Sequence, residues 1–385
     1  MKVFLDGTPF LIEKTGIGHY TENLLLALRR ADPQLQLGIY TISLRRGHRL
    51  ARLAPSLPDL RVKGLNLPAN FLYYAWWPRF GRPSAEDLVG PLDILHAVNY
   101  QAPPLRQARL VATIHDVNFL RFPDMQSRGI NRFRLTLRSL VERSAAVLTD
   151  SEFTARELEE LGLAGPERLR VVYPGLHPAF SRPPDEARAE EVRRRFGLQQ
   201  PYLAYVGNLH PRKNLATLVE AYALLRREGL PHRLAIIGGG GLGQLHDREY
   251  RKLLARVEEI GLQEAVVFTG YVEDEGLPDL LCGAEALVFP SLYEGFGLPP
   301  LEAMACGVPV VASRRASIPE VTGEAALYLE EPADPAEMAG KVAKLLANEK
   351  LREELVRRGR ERARLFTWEE AAQRVLEVYW EVAGT

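Results

Sequence analysis

The sequence has few of the features that mark secreted, membrane-spanning or nucleic-acid-binding proteins. It contains two cysteines, Cys282 and Cys306, and neither has the spacing of a zinc or redox motif, so we expect buried free thiols in a reducing compartment. No apolar run approaches the roughly 20 residues that a membrane-spanning helix needs. Basic and acidic residues both number 49, so the charge balance gives no reason to expect a nucleic acid partner.

Metal-ligating patterns are absent from the sequence as well. It has no Asp-x-Asp pair and no cluster of histidines and cysteines, so we expect neither a metal site nor a cofactor. The first residues, Met-Lys-Val-Phe-Leu-Asp-Gly, predict a β-strand rather than a signal peptide, because the apolar run after the charge is short. We therefore expect a cytoplasmic protein.

What the sequence does contain is a regular alternation of short apolar runs and longer amphipathic runs. Strands are predicted at Lys2–Leu5, Leu37–Ile42, Asp93–His96, Leu110–Ile114, Ala145–Thr149, Leu169–Val172, Tyr202–Val206, Arg233–Ile237, Val266–Phe268, Ala286–Phe289 and Pro309–Ala312. Helices are predicted at His19–Arg30, Gly129–Arg143, Ser151–Leu161, Leu215–Glu228, Glu249–Ile260, Pro278–Ala284 and Pro299–Cys306. Apolar strands separated by helices indicate parallel sheets covered on both faces, and two successive sets predict two doubly wound α/β domains.

The boundary between these domains is predicted near a segment rich in proline and glycine, which a charged stretch follows. We predict an N-terminal domain over residues 1–178, a linker over 179–200 and a C-terminal domain over 201–367. Thr367 is placed to cap a final amphipathic helix over 368–385, which we expect to join the N-terminal domain.

The most informative motif is Glu-Gly-Phe-Gly-Leu-Pro-Pro-Leu-Glu, from Glu294 to Glu302. It follows a predicted strand and opens a predicted helix, and Gly295 and Gly297 leave bare backbone there, which is typical of an anion site. One glutamate can accept hydrogen bonds from the hydroxyls of a sugar and the other from a ribose. The alternative is a tight turn with two solvated glutamates.

A second motif lies between a strand and a helix, where Gly207 precedes the cationic pair of Arg212 and Lys213. The glycine allows a sharp turn and a close approach to a ligand. The two cations suit a diphosphate leaving group, arginine as a fork and lysine as a point charge. The alternative is a surface pair ahead of a helix.

A glycine-rich loop that includes Gly16 and Gly18 precedes the first predicted helix. Thr21 stands where a dinucleotide fingerprint needs its third glycine, so we predict a loop at a helix N-terminus that touches donor phosphate or acceptor.

His115 and Asp116 follow a buried strand, at the end where open α/β sheets place ligand groups. A lone histidine is more often structural than functional, and Asp116 is expected to tie down the loop.

These motifs together resemble the GT-B glycosyltransferases of family 4. The run from Glu294 to Val311 matches the signature of that family, in which seven residues separate two glutamates. The Gly-Ile-Gly-His-Tyr run at Gly16 is also similar to the family. The resemblance implies an α/β GT-B fold, with two Rossmann-like domains facing each other across a cleft. The N-terminal domain would bind the acceptor and the C-terminal domain the nucleotide sugar.

The resemblance also implies roles for individual residues. Glu294 would hold the hydroxyls of the donor hexose, and Glu302 would hold the ribose. Arg212 and Lys213 would clamp the pyrophosphate, and His115 would contact the donor sugar near its reacting carbon. Many members carry an arginine where this chain has Asn208, so the positive charge would rest on the cationic pair. The donor contacts implied in addition are Gly16, Gly18, Gly207, Asn208, Val272, Gly295, Phe296, Gly297 and Leu298.

The reaction that the resemblance implies is metal-independent transfer of a hexose with retention of configuration, of the kind used in polysaccharide biosynthesis. The donor would be a nucleotide-diphosphate sugar, GDP-mannose or a UDP-hexose, with mannose favoured, and the acceptor a hydroxyl group. A sugar phosphorylase of the same fold and a non-catalytic sugar-nucleotide-binding protein stay open as alternatives.

Contact with a membrane is a further hypothesis about partners. The first half carries many arginines, and an aromatic segment begins at Asn70. Such a surface suits peripheral contact with anionic lipid at the inner face of the membrane, and an acceptor on a lipid carrier. A solvated helix face with a core aromatic cluster is the alternative, and the sequence favours it. The arginines are Arg29, Arg30, Arg45, Arg46, Arg49, Arg52 and Arg61.

Overall fold

The chain forms two compact units in the computed structural model. One comprises Met1–Gly175 together with Thr367–Thr385, and the other comprises Leu176–Phe366. The structure describes residues 1–11, 16–43, 60–126, 130, 132–181, 185–198, 201–239, 244–273 and 276–384, with no side chains for 244–247.

The first unit is built on a seven-stranded sheet in the order β3-β2-β1-β4-β5-β6-β7, and all neighbouring strands are parallel. The strands are β1 Lys2–Asp6, β2 Gln36–Ile42, β3 Arg61–Leu65, β4 Ile94–Ala97, β5 Arg109–Ile114, β6 Ala146–Thr149 and β7 Leu169–Val171. The five strands other than the edge strands β3 and β7 are almost entirely buried, as expected for a sheet with helices on both faces.

Helices and one π-helical turn cover this sheet. They are α1 Gly16–Ala31, α2 Ala69–Phe71, the π turn Leu72–Trp76, α3 Trp77–Phe80, α4 Ala85–Val89, α5 Asn118–Arg121, α6 Phe133–Arg143, α7 Glu152–Glu160 and the C-terminal α16 Trp368–Gly384. The last of these returns to the first unit and packs in the same apolar core as α1, with Tyr379 and Leu24 both fully buried.

The second unit has a six-stranded sheet in the order β10-β9-β8-β11-β12-β13, again parallel throughout. The strands are β8 Tyr202–Val206, β9 Arg233–Ile237, β10 Val266–Gly270, β11 Ala286–Phe289, β12 Val310–Ser313 and β13 Ala326–Leu329. The helices are α8 Glu186–Arg195, α9 Leu215–Arg227, α10 Gln244–Glu259, α11 Leu277–Leu281, α12 Leu298–Ala305, α13 Ile318–Thr322, α14 Pro335–Ala347 and α15 Glu349–Ala363.

Side-chain caps fix where several of these helices begin. Ser151 accepts a hydrogen bond from the third residue of α7, and Asn348 does the same for α15. Asp185 and Asp334 cap α8 and α14. Each cap satisfies an amide that the helix cannot pair internally.

The predicted parallel α/β architecture is confirmed, and every predicted strand is present with ends that agree within two residues. Two edge strands, β3 and β13, were not predicted. Within the predicted linker, residues 186–195 form α8, which belongs to the second unit. Gly129, where a helix was predicted to begin, lies outside the described residues. Both cysteines are free and only partly buried, and their thiols interact with each other.

None of the helices in the described part of the chain combines the length and the apolar character that crossing a bilayer requires.

Candidate functional site

The strand order of the second unit reverses between β8 and β11, which lie side by side. In open α/β sheets, connections leave such a reversal point in opposite directions, and the crevice at the carboxyl ends of the strands receives ligands. The loop after β8 carries Gly207, Arg212 and Lys213, and the loop after β11 carries Glu294. The topology therefore brings the two strongest sequence motifs to one place.

The loop after β8 requires glycine where it turns. Gly207 has φ of 148°, and a Cβ atom there would lie 2.7 Å from the hydroxyl of Tyr205. The loop continues into a single turn of 3-10 helix, Pro211–Lys213. Asn214 follows with a left-handed φ of 59°, and its side-chain amide donates to the Pro332 carbonyl at 2.6 Å. These contacts hold the cationic pair in a fixed backbone.

Three charged side chains meet where the two loops approach each other. The Glu294 carboxylate accepts hydrogen bonds from Lys213 Nζ at 2.5 Å and from Arg212 Nη1 at 2.8 Å, one on each oxygen. The same Arg212 nitrogen donates to the Tyr293 carbonyl at 2.6 Å. Lys213 is only 7% exposed, and its ammonium also lies 5.3 Å from the centre of the Phe289 ring. The cluster has two cations and one anion, so it keeps a net positive charge.

The electrostatics of this cluster keep Glu294 ionised. Burial raises the pKa of the Glu294 carboxyl, but the charges of Lys213 and Arg212 and the hydrogen bond from Lys213 outweigh burial and lower that pKa to about 2. The buried Tyr205 hydroxyl shows the opposite effect, since burial and then the charge of Glu294 raise its pKa well above its usual value. A carboxylate this acidic is a weak base, so it suits hydrogen bonding to hydroxyls better than proton abstraction.

The glycine-rich loop that follows Glu294 leads directly into α12. Gly295, Phe296 and Gly297 are buried, and Gly297 precedes the helix with φ of 105°. The next two positions after Leu298 are prolines, which have no amide hydrogen. The amide hydrogens at this helix start therefore belong to the loop and to Leu298.

The other donor-binding residues predicted for this unit follow the carboxyl ends of its strands, except Glu302, which lies within α12. Glu302 is partly buried in α12. The pKa of the Cys306 thiol, one turn further on, is raised by its hydrogen bond with Cys282 and by burial, and to a smaller extent by the charge of Glu302. Asn208 is exposed beside Gly207, and its carbonyl accepts a hydrogen bond from Tyr205. Val272 is partly buried in the loop after β10.

The first unit has its own reversal point, between β1 and β4, and its polar strand ends include His115 after β5. His115 Nδ1 lies 2.6 Å from Asp150 Oδ2, at the end of the neighbouring strand β6. The His115 ring meets the Tyr20 ring edge to face, with centres 4.7 Å apart. Within the described residues, the buried Nε2 of His115 makes no hydrogen bond of normal geometry.

Asp150 decides the charge of this histidine. Burial lowers the pKa of His115, but the charge of Asp150 and its hydrogen bond outweigh burial, and the net change raises the pKa. Asp116, by contrast, accepts from the Asn118 amide and side chain and so ties down its own loop. Sequence reasoning missed Asp150, although its position at the end of a predicted strand next to that of His115 was a usable signal.

A buried polar chain links this strand end to the C-terminal helix. His96 bonds Thr113 at 2.7 Å through Nε2 and Tyr379 at 2.6 Å through Nδ1. Burial and then the charge of His115 lower the pKa of His96 to about 3, so His96 is neutral. Tyr20 reaches the same Thr113 hydroxyl at 3.4 Å.

Gly16 and Gly18 lie within the first turn of α1, which begins at Gly16 rather than at His19 as predicted. Gly16 is exposed and Gly18 is buried against the unit's core. The predicted glycine-rich loop is therefore partly helix, and its residues 12–15 lie outside the part of the chain that the structure describes.

Comparison with known proteins identifies the family. The model described as Glycosyltransferase Family 4 matches residues 14–180, and the model described as Glycosyl transferases group 1 matches residues 188–362. O-antigen chain mannosyltransferase B from Escherichia coli is 30% identical over 392 aligned positions, which cover 98% of this chain and 99% of that protein. The chain belongs to the group 1 glycosyltransferases. It is therefore a glycosyltransferase enzyme, as the resemblance of its motifs implied.

Two more proteins place this glycosyltransferase among its relatives. A D-inositol 3-phosphate glycosyltransferase from Acidothermus cellulolyticus is 35% identical over 246 positions, covering 62% of this chain and 54% of that protein. The crystal structure of Anabaena Alr3699/HepE in complex with UDP-glucose has a TM-score of 0.77 at 17% identity, covering 99% of this chain and 100% of that chain. The predicted GT-B fold class is thereby confirmed.

Proposed function

We propose that this glycosyltransferase moves a hexose from a nucleotide-diphosphate sugar to a hydroxyl acceptor, without a metal ion and with retention of configuration. The buried cluster of Arg212, Lys213 and Glu294 at the reversal point of the second unit carries the proposal. Its net positive charge suits a diphosphate, and its carboxylate suits the hydroxyls of a sugar.

The proposed reaction breaks the bond between the anomeric carbon and the diphosphate oxygen and forms a bond to the acceptor oxygen on the same face. Negative charge grows on the departing diphosphate, where Arg212 and Lys213 would stabilise it without reorganisation, because both are already fixed by hydrogen bonds. The acceptor proton passes to a departing phosphate oxygen. Glu294 is unsuited to take it, because its pKa is about 2.

The donor that we favour is GDP-mannose, with a UDP-hexose as the second choice. One relative, which matches 98% of this chain, is named a mannosyltransferase, whereas one structural neighbour was crystallised with UDP-glucose. We further propose that the second unit binds this donor and that the first unit binds the acceptor. A growing polysaccharide chain is the acceptor class that the name of the O-antigen relative suggests.

The test is a donor panel of GDP-mannose, UDP-glucose and UDP-N-acetylglucosamine, with and without EDTA, followed by NMR of the product anomer. We expect one donor to be consumed at an unchanged rate in EDTA and the product to keep the donor's α configuration. Inversion of configuration, or loss of activity in EDTA that added metal restores, would refute the mechanism. Sugar 1-phosphate formed only with added phosphate would indicate a phosphorylase instead.

We also propose peripheral contact with anionic lipid, through a surface of the first unit formed by Phe71, Trp76 and Phe80. These side chains are 51%, 38% and 54% exposed, and their rings form a continuous row with centre distances of 5.9 and 4.4 Å. From residue 33 to residue 85 the sequence has eight basic residues and one acidic residue, whereas the whole chain has a formal net charge of zero. Exposed rings within a basic segment of the sequence suit the interface of a bilayer.

Co-sedimentation with phosphatidylglycerol-containing vesicles tests this surface. We expect binding that weakens with salt and falls at least about fivefold when Phe71, Trp76 and Phe80 are replaced by serine. Trp380→Ser is the matched control, since Trp380 is 56% exposed on the C-terminal helix of the same unit. Equal binding to neutral vesicles, or equal loss in the control, would contradict the proposal. Arg45, Arg46, Arg49 and Arg52 lie outside the described residues.

A further inference from the structure

The loop between Glu294 and Gly297 is held from behind by one buried serine. Ser317 is 0% exposed, and its hydroxyl oxygen lies 2.9 Å from the Glu294 carbonyl and 2.7 Å from the Phe296 carbonyl. A hydroxyl has one hydrogen, so it donates to these two carbonyls in turn or shares the hydrogen between them. Both carbonyl groups therefore point at a single atom.

The position of Ser317 makes this contact unusual. It precedes the short helix α13, where a serine side chain normally accepts a hydrogen bond from one of the first helix amides. Here the side chain makes no such cap and is directed to the other loop instead. Ala316, just before it, has a left-handed φ of 53°, a conformation that alanine adopts only at a cost in energy. The local backbone is thus strained while it places this hydroxyl against the loop.

The direction of two amides follows from the direction of the two carbonyls. A trans peptide group is planar, and its N–H points opposite to its C=O. The carbonyl of Glu294 belongs to the same peptide group as the amide of Gly295, and the carbonyl of Phe296 to that of Gly297. Because both carbonyls face Ser317, both amides face away from it.

We infer that Ser317 is a positioning residue, which aims the amides of Gly295 and Gly297 at the diphosphate of the donor. The inference rests on the proposed function for the identity of that anion. Ser317 itself would not touch the ligand. Two aimed backbone donors next to the Arg212–Lys213 pair form a preorganised anion site, in which the dipoles need not turn when charge develops.

Inorganic pyrophosphate is the probe, because its binding can be measured without any transfer reaction. In protein labelled with 15N-glycine, we expect pyrophosphate to shift the amide signals of Gly295 and Gly297. In Ser317→Ala we expect pyrophosphate affinity and kcat/KM each to fall at least about tenfold, since the carbonyls lose the donor that orients their peptide groups. Ser317→Thr keeps the hydroxyl and should retain most of both.

Thr322→Val is the matched control for a general loss of stability. Thr322 is also 0% exposed, and its hydroxyl donates to the Ile318 carbonyl at 2.8 Å inside the same short helix and lies 2.7 Å from the Tyr328 hydroxyl. Neither partner belongs to the glycine loop. We expect this variant to lower Tm about as much as Ser317→Ala and to keep pyrophosphate affinity.

Three results would overturn the assignment of Ser317. These are wild-type affinity for pyrophosphate in Ser317→Ala, an equal loss of affinity in Thr322→Val, or no shift of the two glycine amides in the wild type. A wild-type protein that binds pyrophosphate through these amides but transfers no sugar would instead refute the proposed function and support the role of Ser317.

Discussion

Replacing Glu294 by glutamine tests the charged cluster most directly, because glutamine keeps the size of the side chain and removes its charge. The pKa of Glu294 falls from 4.5 to about 2, and each pKa unit corresponds to about 1.4 kcal/mol, so the fold stabilises this carboxylate by about 3 kcal/mol. The variant leaves Arg212 and Lys213 as neighbouring cations with no anion between them. We expect the free energy of unfolding to fall by about 3 kcal/mol and Tm by roughly 10 °C.

The Glu294→Gln substitution should affect turnover and nucleoside diphosphate affinity differently. We expect kcat to drop at least about a hundredfold, a usual size for the loss of a charged group in an active site. Affinity for the nucleoside diphosphate should be kept or increased, because a bound diphosphate supplies the negative charge that the two cations then lack. Lys213→Met is the control, because it removes a positive charge instead of a negative one. It should lose both turnover and diphosphate affinity. Steady-state kinetics and calorimetric titration with GDP or UDP measure the two quantities.

The pH dependence of stability gives an independent check on the same variant. A carboxylate with a lowered pKa contributes stability above its unfolded pKa of 4.5 and loses that contribution as the pH falls toward about 2. The difference in unfolding free energy between wild type and Glu294→Gln should therefore be constant above pH 5 and shrink below it. A variant with near-normal kcat, or with unchanged Tm at pH 7, would refute the reasoning.

Four further predictions concern the first unit and the stability of the chain. Asp150→Asn keeps a hydrogen bond acceptor for His115 but removes the charge that raises its pKa, so the NMR titration of that histidine should move to lower pH. Burial raises the pKa of Asp6 from 3.8 to about 6, so ionising this carboxyl destabilises the fold. The destabilisation is absent below pH 3.8 and complete above pH 6. Asp6→Asn should therefore raise Tm at pH 8 and have little effect at pH 4. Gly175→Ala would put a Cβ 2.2 Å from a backbone nitrogen at the start of the C-terminal helix and should cost at least about 2 kcal/mol. Gly340→Ala, in open space inside α14, should gain about 0.5–1 kcal/mol in thermal unfolding.

The strands that sequence reasoning missed show where local pattern stops being informative. The edge strand β3 contains Arg61 and Lys63, and its first four residues are exposed, so it has no apolar run to detect. The strand β13 is Ala-Leu-Tyr-Leu, a composition that fits a helix as well as a strand. Each is an edge strand that pairs with a single neighbour, β2 or β12. Their strand character depends on that neighbour, which a local window of sequence does not include.

The candidate site shows the same division between local and distant information. Glu294 and the Arg212–Lys213 pair were predicted because they sit in short motifs at strand ends. Their direct contact depends on the strand order of the sheet, which joins segments about eighty positions apart in the chain. Asp150 and Ser317 lie in no recognisable motif, because a serine or an aspartate before a helix is ordinarily only a cap.

The cluster also explains how two cations can be buried before any donor arrives. Arg212 and Lys213 side by side would repel each other, and an unpaired buried lysine would tend to lose its proton. Glu294 offsets both effects while leaving one positive charge in excess, so the cations stay charged and fixed in the absence of ligand. A diphosphate then meets a site that is already organised, and little energy of binding is spent on moving side chains. On this argument, neutralising Glu294 has two effects. It leaves the buried cations unpaired, and it removes a contact with the sugar. Stability and turnover should therefore fall together in that variant.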